Sequence, residues 1–206
     1  MNDYGSFRRH ILALPLELFM LAGAVVMYMV HDMLHIATSL FTFLVSFLPL
    51  LLERWWKIRL PSWLQFTYVL FVFSSMFCGE VLHFYGHFFW WDDVMHIISG
   101  LLISLGVVLW LQLAGQRGIR LPKWARLLLI FTITLTVAAL WEFAEFGSDQ
   151  LLGTHSQDSL TDTMMDMLDA ALGASIIMCI YARLLIRKGS LGLAVLTRHF
   201  LHFNKG

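Results

Sequence analysis

Residues 95–114 read MHIISGLLISLGVVLWLQLA and contain no Asp, Glu, Lys or Arg. An α-helix rises about 1.5 Å per residue, so a run of this length crosses the roughly 30 Å hydrocarbon core of a bilayer. Because backbone groups in lipid must form hydrogen bonds within their own segment, a single strand could not cross there. The stretch therefore predicts a transmembrane helix.

Five further apolar blocks of similar length flank this one. The predicted spans are residues 11–30, 33–52, 63–82, 95–114, 127–146 and 164–186. The composition agrees, since 59% of the 206 residues are hydrophobic and 14% are charged, whereas soluble domains have about 45–50% and about 25%. These values exclude a water-soluble enzyme, a disordered chain, a secreted disulfide scaffold and a nucleic-acid-binding domain. We predict an all-α, polytopic integral membrane bundle of six transmembrane helices.

The basic residues predict the orientation of this bundle. Residues 31–32, 83–94 and 147–163 contain no Lys or Arg, and the basic residues lie on the alternate connections and near the two ends. The positive-inside rule places the basic side in the cytoplasm, so both termini are predicted to be cytoplasmic. We therefore expect a multi-pass protein of the bacterial cytoplasmic (inner) membrane, whose first partner is the lipid bilayer.

The chain is predicted to form one transmembrane domain, residues 1–189, followed by a tail, residues 190–206. The tail mixes apolar residues with Arg198, His199 and Lys205. It fits either an amphipathic helix on the inner leaflet or a flexible basic segment. Arg8 and Arg9 before the first block also fit a signal peptide, but the block is longer than a typical signal-peptide core, which favours a retained span.

An internal repeat groups the six spans into three related helical hairpins. Asp32-Met-Leu-His35-Ile-Ala-Thr-Ser-Leu matches Asp93-Val-Met-His96-Ile-Ile-Ser-Gly-Leu at an offset of 61 residues. Both copies open an even-numbered span from the predicted outer side. A weaker match relates the residues around Glu80 to those around Glu142. Each hairpin is therefore expected to carry its polar residues at the outer turn.

Acidic and imidazole side chains concentrate in this outer half. It holds eleven of the fourteen acidic residues and six of the nine histidines. No Lys or Arg accompanies them, so neighbouring carboxylates must repel one another unless they are protonated or bound to a cation. Such a concentration marks a candidate functional site.

Helical spacing selects the candidates within this half. Side chains at i, i+3 and i+7 share a helix face, which predicts common faces for the triplets at 80, 83 and 87, at 142, 145 and 149, and at 162, 166 and 169. The candidate acid–base residues are Glu142, Asp166 and Asp169. The candidate metal ligands are Asp93, His96, Glu80, His83, Glu145, Asp149 and Asp162. Helix capping is an open alternative for Asp92, Asp93 and Asp162, which lie at predicted helix starts.

Histidine and carboxylate donors without cysteine suit zinc, manganese or iron, so a divalent metal ion is the expected cofactor. A bound metal would neutralise the carboxylates and activate water. The leading hypothesis is a metal-dependent hydrolase or transferase acting on a lipid or envelope precursor near the outer leaflet. A cation or proton transporter using the same carboxylates and a non-catalytic accessory protein are the alternatives. No nucleic acid partner is expected, and the sequence does not indicate the oligomeric state.

Three stretches carry a resemblance to known proteins: Trp91-Asp-Asp-Val-Met-His96-Ile-Ile-Ser-Gly100, Trp141-Glu-Phe-Ala-Glu-Phe146, and Asp162-Thr-Met-Met-Asp166 followed by Gly173-Ala174. In these stretches the chain resembles the bacterial YjdF-type inner-membrane proteins. A shorter similarity, an Asp-x-x-His at a helix start and a later Asp-rich helix, resembles VanZ-like membrane proteins, which are linked to glycopeptide resistance. The resemblance implies a polytopic bacterial membrane protein and supplies no reaction.

Overall fold

The computed structural model describes residues 10–154, 156–157, 159–186 and 204. All regular structure in this part of the chain is helical, which confirms the all-α prediction. Six helical segments there are long and apolar enough to cross a membrane: Ile11–Met29, Met33–Trp56, Ser62–Val81, Trp91–Gln116, Lys123–Leu152 and Leu160–Leu185. The six-span prediction is confirmed. The predicted tail lies outside the described residues, apart from Asn204.

The described residues form eight α-helices and two other helical segments. They are a 3₁₀ turn (Ile11–Ala13), α1 (Leu14–Met29), α2 (Met33–Ser46), α3 (Leu48–Trp56), α4 (Ser62–Val72), a π-helix (Phe73–Val81), α5 (Phe84–His87), α6 (Trp91–Gln116), α7 (Lys123–Leu152) and α8 (Leu160–Ile186). All of them except α5 belong to the six spans. The last three helices start before the predicted spans and, in α6 and α7, also end after them. Hydropathy detects only the apolar part of a helix, so the polar first and last turns were missed.

Proline explains where the second span changes from α2 to α3. Pro49 has no backbone N–H and cannot donate to the carbonyl four residues earlier. That carbonyl, of Val45, accepts a hydrogen bond from the Tyr68 hydroxyl at 3.1 Å instead. Two other helices end at residues with a left-handed backbone: α3 ends at Lys57 and α7 ends at Gly153.

The described chain falls into two compact units, and the division lies between Asp92 and Asp93, inside the first turn of α6. The first predicted hairpin lies in the first unit and the third in the second. The central hairpin is divided, since its span Ser62–Val81 belongs to the first unit and almost all of α6 belongs to the second.

The first unit buries ionisable groups together with an apolar core. Met20, Val69 and Phe77 lie in that core. Glu17 is 1% exposed, and its Oε1 accepts hydrogen bonds from His10 Nε2 at 2.6 Å and from Ser46 Oγ at 3.0 Å. These contacts join the start of the first span to α2.

The second unit is held by close helix contacts. A Cβ atom on Gly100 would collide with the backbone carbonyl of Ala170, and one on Gly173 would collide with the backbone carbonyl of Ile97. Helices α6 and α8 therefore meet backbone to backbone near Asp169, as small residues allow. Ser104 and Thr134 form a buried hydrogen bond of 2.8 Å that links α6 to α7.

Candidate metal centre

Helices α6 and α8 bring a histidine and an aspartate together. His96 Nε2 lies 3.8 Å from Asp166 Oδ1, and the two residues are 8% and 3% exposed. Asp92 precedes His96 by four residues on α6, so it lies on the same helix face one turn earlier. Donor atoms of Asp92, His96 and Asp166 all lie within 4.8 Å of one another. These three residues are called the metal-site triad below.

The glycine contact explains why His96 and Asp166 meet. Gly100 lies one turn after His96, and Ala170, whose carbonyl it faces, lies one turn after Asp166. Gly100 and Gly173 have no side chains, so the backbones of α6 and α8 approach closely at this crossing. One turn earlier on each helix, His96 and Asp166 therefore come within ion-pair distance. Ser99 Oγ also donates to the His96 carbonyl at 2.8 Å, so this hydroxyl is occupied within its own helix.

The donor set of the metal-site triad suits a divalent cation. Zinc accepts histidine nitrogens and aspartate or glutamate oxygens as ligands, and catalytic zinc sites use three protein ligands with a fourth position open for water. Ligand atoms about 2.0–2.2 Å from a metal are roughly 3–4 Å apart, so the triad would have to contract slightly on binding. Burial also favours a bound cation, because Asp166 is buried within α8 and a cation there would stabilise its ionised form.

Glu142 and Asp169 lie on α7 and α8, the two helices of the third hairpin, and neither is a member of the triad. Glu142, on α7, is 3% exposed. Gln157 Nε2 donates to the Glu142 carbonyl at 3.4 Å and to Thr163 Oγ1 at 3.1 Å. This bridge places Glu142 level with the turn of α8 that precedes Asp166. Asp169 is half-buried and lies one turn after Asp166 along α8.

Three predicted ligands have well-defined local contacts. The Asp149 carboxylate accepts hydrogen bonds from Thr154 Oγ1, Ser156 N and Gln157 N at 2.6, 2.8 and 3.1 Å. It therefore shapes the connection that carries Gln157. Glu145 Oε1 accepts from Trp141 Nε1 at 2.9 Å. The backbone N–H of Asp162 donates to Ser159 Oγ at 3.1 Å, which is an N-cap contact. The role of these carboxylates as metal ligands stays a prediction.

Asp92, not Asp93, joins His96 in the triad. The helix begins at Trp91, three residues earlier than the repeat predicts, so Asp93 is inside the first turn and its side chain is exposed. Spacings of i+3 and i+4 both place a carboxylate beside His96. The sequence offered both candidates and no signal that distinguishes them.

The remaining candidates, Glu80 and His83, lie in the first unit, and both are exposed. Their predicted common helix face with His87 is wrong, because the π-helix ends at Val81 and His83 has a left-handed backbone, with φ of 58°. The His83 ring instead packs edge-on against the His35 ring, with centroids 5.0 Å apart.

His35 is in turn held by Asp32. His35 Nδ1 and Asp32 Oδ2 are 2.5 Å apart, and the His35 backbone N–H donates to Asp32 Oδ1 at 3.2 Å. Hydrogen bonds from the His35 side chain and then from its backbone lower the pKa of the Asp32 carboxyl below its ordinary 3.8.

Comparisons with known proteins agree with a membrane protein. A family model described as "Predicted membrane protein (DUF2238)" matches residues 12–187. An "Uncharacterized protein" of Thermotoga maritima is 27% identical over 129 residues, which are 62% of this chain and 66% of that protein. The chain thus spans slightly less than two thirds of that relative's length. No solved structure matches the chain.

Proposed function

This chain belongs to the DUF2238 family of predicted membrane proteins, and we propose that it is a metal-dependent enzyme of the bacterial inner membrane. The observation that carries the proposal is the metal-site triad, in which Asp92, His96 and Asp166 converge within 4.8 Å. A divalent metal there, with zinc as the leading candidate, would be held by two carboxylates and one imidazole and would keep a position open for water.

The proposed chemistry is hydrolysis or group transfer. A metal-bound water loses a proton much more readily than free water and becomes a nucleophile at neutral pH. Glu142 and Asp169 are the proposed proton acceptors, because Asp169 lies one turn after Asp166 on α8 and Glu142, on α7, is level with the turn before it. A metal held by Asp92, His96 and Asp166 would supply activated water for hydrolysis of an ester or anhydride, and the acceptor would take a proton from that water and return it to the departing oxygen.

The proposed substrate is a lipid or an envelope precursor near the outer leaflet. Both termini would be cytoplasmic, and the triad would then lie near the outer ends of α6 and α8. Neither the matching family model nor the Thermotoga maritima relative names a substrate or a reaction. Within 83–94 and 147–163 there is no Lys or Arg, so the metal itself would serve as counter-ion to an anionic headgroup.

Metal content and turnover test the proposal together. Full-length, tag-free protein in nanodiscs of bacterial lipid would be titrated with zinc, and lipid products would be identified by mass spectrometry. We expect His96→Ala and Asp166→Asn each to bind at least one zinc fewer than wild type and to form no zinc-dependent product. His87→Ala, which removes an exposed histidine, is the control. Equal zinc binding by wild type and His96→Ala would contradict the metal site.

Cation or proton transport is a second candidate, favoured by one observation. The buried Ser104–Thr134 hydrogen bond lies near the middle of α6 and α7, deeper than the metal-site triad. Hydroxyl groups at this depth would continue a polar path. In proteoliposomes, transport predicts an ion flux that is lost in both Asp166→Asn and Thr134→Val. An enzyme would retain turnover in Thr134→Val, and an accessory protein would show neither activity.

A further inference from the structure

We propose that His35 and His83 form a second transition-metal site, separate from the metal-site triad and contained entirely in the first unit. Asp32 would orient His35 without binding the metal. The observation behind the proposal is the packing of the two imidazole rings, whose centroids are 5.0 Å apart and whose planes meet at 85°. These three residues are called the histidine pair and its carboxylate below.

The ring separation matches the requirement of a shared metal. Two imidazoles bound to one tetrahedral zinc, each at about 2.0–2.1 Å, have ring centres roughly 5 Å apart. The rings of His35 and His83 already have this spacing, so small side-chain rotations would suffice to aim one nitrogen of each at a common ion.

The Asp32 contact determines which His35 nitrogen is available. An ionised carboxylate can only accept hydrogen bonds, so His35 Nδ1, 2.5 Å from Asp32 Oδ2, must carry the proton. In neutral His35 the lone pair is then on Nε2, which makes no hydrogen bond within the described residues. Metal-binding histidines characteristically use the other ring nitrogen to donate to a carboxylate in this way, which fixes the tautomer and the ring orientation.

His83 is also held in place by its backbone. Its left-handed conformation, with φ of 58°, is uncommon for a residue other than glycine. The His83 carbonyl accepts a hydrogen bond from His87 Nδ1 at 2.7 Å. The His83 ring nitrogens form no hydrogen bond within the described residues, whereas His87 has one ring nitrogen occupied. His83 is therefore the available partner, and His87 is a suitable control.

The two imidazoles determine which metal ions this site would bind. Neutral imidazole pairs suit zinc, copper, nickel and iron more than magnesium or calcium. His83 is exposed, so ions can reach the pair from solvent. With two protein ligands, water would complete the coordination, and we expect this site to bind zinc more weakly and exchange it faster than the metal-site triad.

Zinc titration in a His96→Ala background tests the second site alone. Full-length, tag-free protein would be titrated by calorimetry, and cobalt absorption would report tetrahedral nitrogen ligation. We expect His96→Ala to retain one zinc. Adding His35→Asn or His83→Asn should remove it, adding His87→Ala should not, and adding Asp32→Asn should weaken binding about 10–100-fold.

Asparagine is used at position 83 because it tolerates a left-handed backbone better than most residues, so the variant should fold. Thermal unfolding without metal would check this point. Zinc binding unchanged by His35→Asn and His83→Asn would overturn the proposal, as would equal losses in the His87→Ala variant. Neither result would affect the triad, since loss of zinc on His96→Ala is measured separately.

Discussion

The two copies of the Asp-x-x-His repeat begin helices α2 and α6, yet their histidines have different partners. In the first copy, Asp32 precedes α2, caps it and binds His35 three residues later. In the second copy, Asp93 is exposed, and His96 lies beside Asp92 and Asp166. The same motif thus yields a local contact in one unit and a contact between distant helices in the other.

Helix start and helix crossing explain this difference. Helix α2 begins just after its aspartate, whereas α6 begins two residues before Asp93 and rotates that carboxylate away from His96. The residue four positions after the histidine differs as well. Ser39 in the first copy corresponds to Gly100 in the second, and only the glycine allows a neighbouring backbone to approach. A motif at a helix start therefore does not determine its own partners.

The largest expected effect comes from making the second copy resemble the first with Gly100→Ser. The new side chain would collide with the Ala170 backbone, which cannot rotate away as a flexible side chain can. We expect a loss of about 1–3 kcal/mol in unfolding free energy and the loss of zinc from the metal-site triad. Thermal unfolding in detergent and zinc titration would measure both.

Gly106→Ser is the matched control for this change. It lies on the same helix, and no atom lies within 4 Å of the place where its Cβ would be. A change there should stay within about 0.5 kcal/mol of wild type. Equal melting temperatures for the two serine variants would show that the backbone contact does not hold α6 against α8.

A smaller effect is expected from neutralising the two adjacent carboxylates of the second copy separately. Asp92→Asn removes a proposed ligand and should weaken zinc binding about tenfold or more, by analogy with losses of supporting groups around metals. Asp93→Asn removes an exposed carboxylate of equal charge and should change affinity less than about twofold. Calorimetric zinc titration of both variants at the same ionic strength distinguishes the loss of a metal ligand from the loss of one negative charge. If Asp93→Asn lost more zinc affinity than Asp92→Asn, Asp93 would be the ligand beside His96, at the i, i+3 spacing of the repeat.

Much of the fold could be predicted from the sequence, because hydropathy and basic-residue placement report directly on membrane crossing. The six spans followed from hydropathy. His96 and Asp166 were also identified, since ionisable groups one to two turns inside an apolar helix are conspicuous. Their pairing could not be predicted, because it depends on where α6 crosses α8.

The π-helix of the first unit could not be predicted from the sequence either. Hydropathy does not distinguish α-helical from π-helical hydrogen bonding, so the π-helix Phe73–Val81 was not anticipated. Its end at Val81 moved His83 off the predicted helix face. The contact between the His35 and His83 rings, from hairpins one and two of the sequence, was therefore missed, although both residues lie in repeated stretches.

The smallest expected effect concerns the charge of Asp32 in the first copy. His35 lowers the pKa of the Asp32 carboxyl below 3.8, so the ionised form is favoured in the folded state. The Asp32–His35 contact therefore contributes to stability above about pH 3.8, and this contribution is lost as the pH falls through the lower, folded-state pKa of Asp32. Asp32→Asn can still cap the helix, so it should be slightly less stable than wild type near neutral pH. The difference should disappear in strong acid.

Melting temperatures of the two proteins in detergent, measured from about pH 1 to pH 7, would check this expectation. The same substitution in a His35→Ala background supplies the control, because the hydrogen bonds from the imidazole that lower the pKa of Asp32 are then absent. In that background the effect of Asp32→Asn on the melting temperature should be smaller and should vary less across the acidic half of the range. If the variation with pH persisted without the imidazole, the Asp32–His35 contact would not be its cause, and the first copy would lose the local pairing that distinguishes it from the second.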